Sequence, residues 1–250
     1  MTRRALAAVI VWAAVSAAVS TRAEPPPTAN ANVVRWATGA IAYRVKSTGA
    51  INGYETWRLS VHPDGSRTMA ATVQYAPRDI QRHVVHRVDA EWRALDTYAL
   101  LWLDGHWRAT TLALRQGAQL TITGQSSTGP AAQNQTVSDQ IVMVPHVLAA
   151  DSWRAMLVDK TKSGPQPVAA YNFNATGEGA APALGKVMDY RMTYVGAEQI
   201  TVPAGTYATD HYRIEDAVDI YVTGEDAILV KFIYPSIDRE HLLIEHKKGP

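Results

Sequence analysis

His86 is the first residue whose type and position invite chemistry. It sits between Val84 and Val88 in an alternating segment, Ile80 to Asp89, which places it on the apolar face of a strand. A histidine in such surroundings can serve as a general base or as a polar anchor for a buried ligand. The plainer alternative is a core histidine satisfied by a backbone carbonyl or a tyrosine hydroxyl. His83 lies three residues back, on the other face, so His83-Val84-Val85-His86 is not a metal motif. No metal site is expected.

His146 heads a second group, with Asp151 five residues later and Trp153 beyond. A helix N-terminus at the mouth of a curved sheet offers free N–H groups to an anion. The alternative is that His146 and Asp151 cap and solvate helix ends. Asp210-His211-Tyr212-Arg213 forms the third group. Alternation pairs His211 with Arg213 and Asp210 with Tyr212. Tyr212 leads to Ile214 and is the better inward candidate, although an ordinary amphipathic strand would look the same. His86, His146 and Tyr212 are thus the candidate proton-transfer residues if the chain is an enzyme. Tyr43, Trp57, Trp102, Asp151, Trp153, His211 and Arg213 are the candidate ligand-binding residues. The aromatic members read first as core, and as a set they make an aromatic-lined cavity plausible. A Gly-rich phosphate loop, a Gly-x-Ser-x-Gly elbow and a His-Glu-x-x-His helix are all absent from the sequence. No cofactor is expected.

The elements that must position these residues are mostly strands. Ile41, Tyr43 and Val45 alternate with Ala42, Arg44 and Lys46; Trp57, Leu59 and Val61 alternate with Thr56, Arg58 and Ser60. Turn signals separate the segments: His62-Pro63-Asp64-Gly65, Asp104-Gly105, Gln116-Gly117, Pro203-Ala204-Gly205, Gly224 and Pro235-Ser236. Gln125 to Gln135 reads as a polar loop. Pro145 to Asp159 places Val147, Leu148, Trp153, Met156 and Leu157 at helical spacing, and Asp151-Ser152 can split it in two. Lys186 to Tyr194 and Gln199 to Val202 read as separate strands with a turn near Gly196. The expected fold is mainly β. It is a single antiparallel curved sheet, a half-barrel or barrel, with one short helix packed at its mouth.

Composition narrows the partners. Arg3 and Arg4 precede an apolar run, Leu6 to Val19, followed by Ser20, Thr21, Arg22 and Ala23. This is the layout of a secretory signal peptide with cleavage after Ala23. An uncleaved anchor is the alternative, but the run is short of the ~20 residues a spanning helix needs. No transmembrane segment is expected after processing. Residues 24–32 read as a flexible leader and 33–247 as one barrel-like β domain, periplasmic or secreted. Without Arg3, Arg4 and Arg22 the 24 basic residues become 21, against 23 acidic ones, for a charge of −2. That balance argues against nucleic acid as a partner. Cysteine is absent, which excludes disulfides and lipoprotein processing. Seven Trp and eleven Tyr against two Phe suit an interior that is apolar and partly wet.

Val202-Pro203-Ala204-Gly205-Thr206-Tyr207, His211-Tyr212-Arg213-Ile214, Asp219-Ile220-Tyr221-Val222 and Val230-Lys231-Phe232 resemble the motifs of exported bacterial proteins known only as domains of unknown function. His86 to Trp107 and Pro145 to Trp153 are similar to a related uncharacterised family. The likeness spans roughly residues 35 to 245. It implies a long antiparallel sheet curled into a half-barrel with a helix on its concave side. Lol-type lipoprotein carriers use that architecture to hold acyl chains, and at least one pigment-biosynthesis enzyme of similar fold performs catalysis. The resemblance therefore implies a fold and leaves function open. Three functions stay in view: binding of a lipid or other hydrophobic small molecule, cofactor-independent catalysis on a hydrophobic or aromatic substrate, and a cell-envelope assembly role with a protein partner.

Overall fold

The computed structural model describes residues 32–215 and 217–250. The expected signal peptide, and all of the expected leader except Asn32, lie outside the described residues. Among the described residues, no helix is long and apolar enough to cross a membrane.

One curved sheet of fifteen strands makes up most of the structure. Its first arm contains β1 (Arg35–Val45), β2 (Ile51–Val61), β3 (Arg67–Tyr75), β4 (Ile80–Val88), β5 (Ala94–Leu103), β6 (His106–Gln116), β7 (Gln119–Ser126) and β8 (Gly129–Thr136). The second contains β9 (Val142–Val144), β10 (Gln166–Asn172), β11 (Lys186–Val202), β12 (Gly205–Ile214), β13 (Val218–Thr223), β14 (Ile228–Tyr234) and β15 (Arg239–Gly249). Within each arm every strand lies beside its sequence neighbours, β8 and β9 form the two outer edges, and β1 and β15 join the arms at the centre. Asp104 and Gly105 both have positive φ, 52° and 72°, as the two-residue β5–β6 hairpin demands.

Three expectations need correction. Gln125 to Gln135 is not a loop: it contains the end of β7 and most of β8. As an edge strand, β8 is held by backbone pairing and carries only small or polar residues and one proline, so it gives no apolar signal. Lys186–Val202 is one strand of 17 residues rather than two, with a bulge between Tyr194 and Gly196. Gly196 absorbs the bulge at φ 148°. Lastly, β9 and β10 run parallel, whereas all other neighbours are antiparallel. A parallel pair needs a crossover connection. Residues 145–165 supply it, and they carry the helix. That helix is shorter than the expected Pro145 to Asp159: α1 (Leu148–Asp151) runs into a 3-10 segment, Ser152–Leu157. The two pieces meet at Asp151-Ser152.

The curvature follows from contacts across the sheet. His86 on β4 and Tyr190 on β11 are eight strand spacings apart, which would be about 38 Å on a flat sheet. Yet Trp153 lies 5.7 Å from the His86 ring and the Arg154 guanidinium 4.9 Å from the Tyr190 ring. The sheet therefore wraps around the helical segment, hereafter the lid. It does not close into a barrel. The β9 arm overlaps the inner face of β5 like a scroll: Ala94 N–H donates to the Ile141 carbonyl (3.2 Å), and Thr97 Oγ1 donates to Met143 Sδ (2.9 Å). Ile141, Met143, Tyr171 and Phe173 bury Ala94, Ala113, Leu120 and Ile122 beneath this overlap. The main core lies under the lid and includes Ile41, Trp57, Leu59, Met69, Val84, Trp153, Met192, Tyr212, Ile220 and Phe232.

Gly39, at the central seam, permits that packing. A Cβ there would stand 2.4 Å from Trp57 Cζ2 and 2.5 Å from the Glu245 carbonyl oxygen. One contact is with backbone and the other with a buried indole, neither the free end of a flexible side chain. Gly39→Ala is expected to lower unfolding stability by about 1–3 kcal/mol, the usual cost of overpacking, read from urea denaturation.

Candidate functional site

Alternation on β2 brings Glu55 to the inner face with Trp57, Leu59 and Val61. Its carboxylate is fully buried and holds the lid. Tyr43 Oη donates to Glu55 Oε2 (2.6 Å), Leu148 N–H to Oε2 (2.7 Å) and Ala149 N–H to Oε1 (2.8 Å). Three donors on one carboxylate fix where the first turn of α1 sits, because those N–H groups have no partner within the helix. Burial raises the Glu55 carboxyl above its ordinary value, and the three hydrogen bonds oppose the shift. Tyr43 is correspondingly pushed well up by burial and by Glu55.

Arg82 secures the approach to the lid. It shares its face with Val84, His86 and Val88 and is buried. Arg82 Nη1 donates to the His146 carbonyl (2.8 Å) and Nη2 to the Ala175 carbonyl (2.5 Å). His146 has φ 60°, a left-handed conformation rare for a residue with a side chain. It is held from three directions. Arg82 takes its carbonyl, its N–H donates to Asp151 Oδ1 (3.1 Å), and its Nε2–H donates to the Phe173 carbonyl (2.8 Å). Such a conformation persists where the surroundings over-determine it. Burial, aided by Arg82, lowers His146 to about 3, so the ring is neutral at pH 7. Burial pushes Asp151 up to about 7, against the pull of Arg154.

Beside the lid, these residues line an open cavity of about 320 Å³. Val73, Ile80, Leu148 and Ile237 give it apolar wall, and Tyr43, Tyr75 and Tyr234 give it aromatic wall. Arg82, His146, Asp151, Arg239 and His241 bring polar groups to the same space. The His241 ring packs 4.3 Å from Tyr43 and 5.8 Å from Tyr234. Burial, reinforced by Arg239, lowers His241 to about 3 and keeps it neutral at pH 7.

The structure gathers only some of the residues proposed from sequence. Tyr43, His146 and Asp151 line this cavity. Trp153 is buried in the lid, between His86 and Trp92. His86 is buried beneath it; its Nδ1–H lies 2.7 Å from Thr97 Oγ1 and 3.2 Å from the Asp96 carbonyl, and burial lowers it to about 4. Trp57 is core, near His246. Tyr212 faces inward in the main core and touches Tyr194, its pKa raised by burial. His211 and Arg213 lie on the opposite face from Tyr212. There His211 Nε2 and Arg213 Nε both contact Asp219 Oδ1 (2.8 Å each), and His211 stacks on Tyr221. Trp102, paired with Gln81 on the outer face, is 40% exposed. Sequence reasoning passed over Glu55, Arg82, Tyr75, Tyr234, Arg239 and His241. A charged residue at an inward position of an otherwise apolar face was the available signal for the first two.

No family model matches the chain, and no curated protein matches it. Among solved structures it is similar to a DUF1089 family protein from Pseudomonas aeruginosa. The identity is 14% over 74% of this chain and 90% of that one, with a TM-score of 0.42. It is also similar to a candidate exported protein with a YmcC-like fold from Bacteroides fragilis. There the identity is 7% over 85% of this chain and 94% of that one, with a TM-score of 0.27. Neither description names an activity or a ligand.

Two outcomes test this geometry. Glu55→Ala strands Tyr43 Oη and two buried N–H groups, and is expected to cost about 3–5 kcal/mol in urea denaturation at pH 7. For Asp151 the folded value lies above the ordinary one, so the fold binds the proton more tightly. Its contribution is therefore fully present below 3.8 and lost as pH rises to about 7. Asp151→Asn stays neutral and can still accept the His146 N–H. It is expected to flatten that decline and to be more stable than the parent at pH 8, measured as urea midpoints across pH.

Proposed function

We propose that this chain is an exported binding protein that holds a hydrophobic small molecule, such as a lipid-like compound, on the concave side of its open sheet. The observation that carries this reading is the cavity of about 320 Å³ beside the lid, with apolar and aromatic walls and a few polar groups among its lining. Small-ligand sites run from about 300 to 1,000 Å³ and have this mixed lining. The volume fits one short body rather than a bundle of long chains. The leader of the sequence supports export, and the mature charge of −2 gives no reason to look for a polyanionic partner.

Titration with the neutral fluorophore N-phenylnaphthylamine tests the reading. One probe per chain, with blue-shifted and enhanced emission, is the expected result. Ile80→Trp, which fills the cavity wall from its rim, is expected to weaken binding by about tenfold or more while leaving the urea midpoint nearly unchanged. An unresponsive probe, together with an empty chain in native mass spectra of protein purified from cells, would sink the proposal.

A further inference from the structure

We infer that the ligand of the cavity beside the lid is an amphipathic carboxylate, its head held by Arg239, Tyr75 and His241 and its apolar body on Tyr43, Val73 and Ile80. This inference rests on reading the cavity as a hydrophobic-ligand site. Three observations supply the head-group chemistry. Arg239 is exposed at the cavity and has no carboxylate partner among the described residues; its guanidinium lies over the Tyr75 ring, 5.4 Å from the centroid. Tyr75 and His241 line the same cavity, and Tyr75 Oη and His241 Nδ1 are buried atoms that make no hydrogen bond to the protein. His241 as a whole is 5% exposed, so its orphaned nitrogen is costly unless something in the cavity meets it.

The charges facing the cavity limit the head to one negative charge. Arg82 is already committed to the His146 and Ala175 carbonyls, which leaves Arg239 as the uncommitted cation of the lining. Asp151 lines the same space, and a dianion such as a phosphate monoester would meet it with a single counter-charge. A carboxylate has two oxygens and four lone-pair sites. It can take a charge-assisted bond from Arg239 and neutral bonds from a phenol and an imidazole N–H. The His241 ring keeps one N–H at pH 7, since burial holds it unprotonated without removing that hydrogen. Long apolar side chains and an arginine that rests on an aromatic face leave the body of the ligand along the wall and its head at the rim.

Matched probes separate this inference from the broader reading. Decanoate, decanol and decyl phosphate are each titrated at pH 7 by displacement of N-phenylnaphthylamine. Decanoate is expected to bind about tenfold or more tightly than decanol, the usual worth of a charge-assisted hydrogen bond. Arg239→Gln is expected to erase that preference, bringing decanoate to the affinity of decanol. Because Arg239 is exposed and unpaired, the variant should fold normally, and its urea midpoint checks this. Equal binding of decanoate and decanol, or tighter binding of decyl phosphate, would overturn the carboxylate assignment and leave the hydrophobic site standing. Failure of all three to displace the fluorophore would overturn both.

Discussion

The buried carboxylate of Glu55 is the constraint on which the rest of the inner face depends. A carboxylate removed from water must be surrounded by donors, and here the donors come from two different parts of the chain. Tyr43 reaches it from the neighbouring strand, and the first N–H groups of α1 reach it from the crossover between β9 and β10. One side chain therefore ties the centre of the sheet to the lid. Four helical residues and a 3-10 segment would not hold together in water. They are stable here because their first turn is capped by the sheet and their apolar side chains finish its core.

The lid in turn sets the curvature. Trp153 and Arg154 are adjacent in sequence but engage opposite arms, β4 through His86 and β11 through Tyr190. A fifteen-stranded sheet with right-handed twist must curl or split. Here it curls around the lid until β9 slides over β5 instead of meeting the edge of β8. The overlap creates a second small core and keeps the structure a scroll. At the rim, Tyr75, Arg239 and His241 share one cavity with the start of the lid.

Around the lid, charge is met by backbone carbonyls and aromatic faces rather than by close ion pairs. Arg82 spends its hydrogen bonds on backbone carbonyls, and Arg154 rests on Tyr190 and Phe232. Glu55 and Asp151 lie within electrostatic reach of Arg82, and burial raises both carboxyls. Near pH 7 Asp151 stands close to half-protonated, while His86, His146 and His241 are neutral. Among the described residues, the inner face therefore combines neutral histidines with Arg82, Arg154 and Asp151, and Arg239 stands at the rim without a carboxylate partner.

The sequence by itself determined the strands, because alternation of apolar and polar residues has a period of two and needs no tertiary partner to be read. It located the hairpins through residues such as Asp104-Gly105, the helical segment through Val147, Leu148, Trp153, Met156 and Leu157, and the inward face of His86 and Tyr212. It missed both edge strands, β8, held by backbone pairing, and β9, only three residues long, and it split β11 at Gly196, where a bulge looks like a turn. Only the tertiary structure decided that β9 and β10 run parallel, because direction depends on where a crossover must pass. It alone also decided the site. Glu55 and Arg82 carry an inward position in their own strands, but their partners lie 93 and 64 residues away, on a segment whose placement no local pattern encodes. Tyr75, Arg239 and His241 become neighbours only because β1 pairs with β15 at the centre of the sheet and the arms then curl.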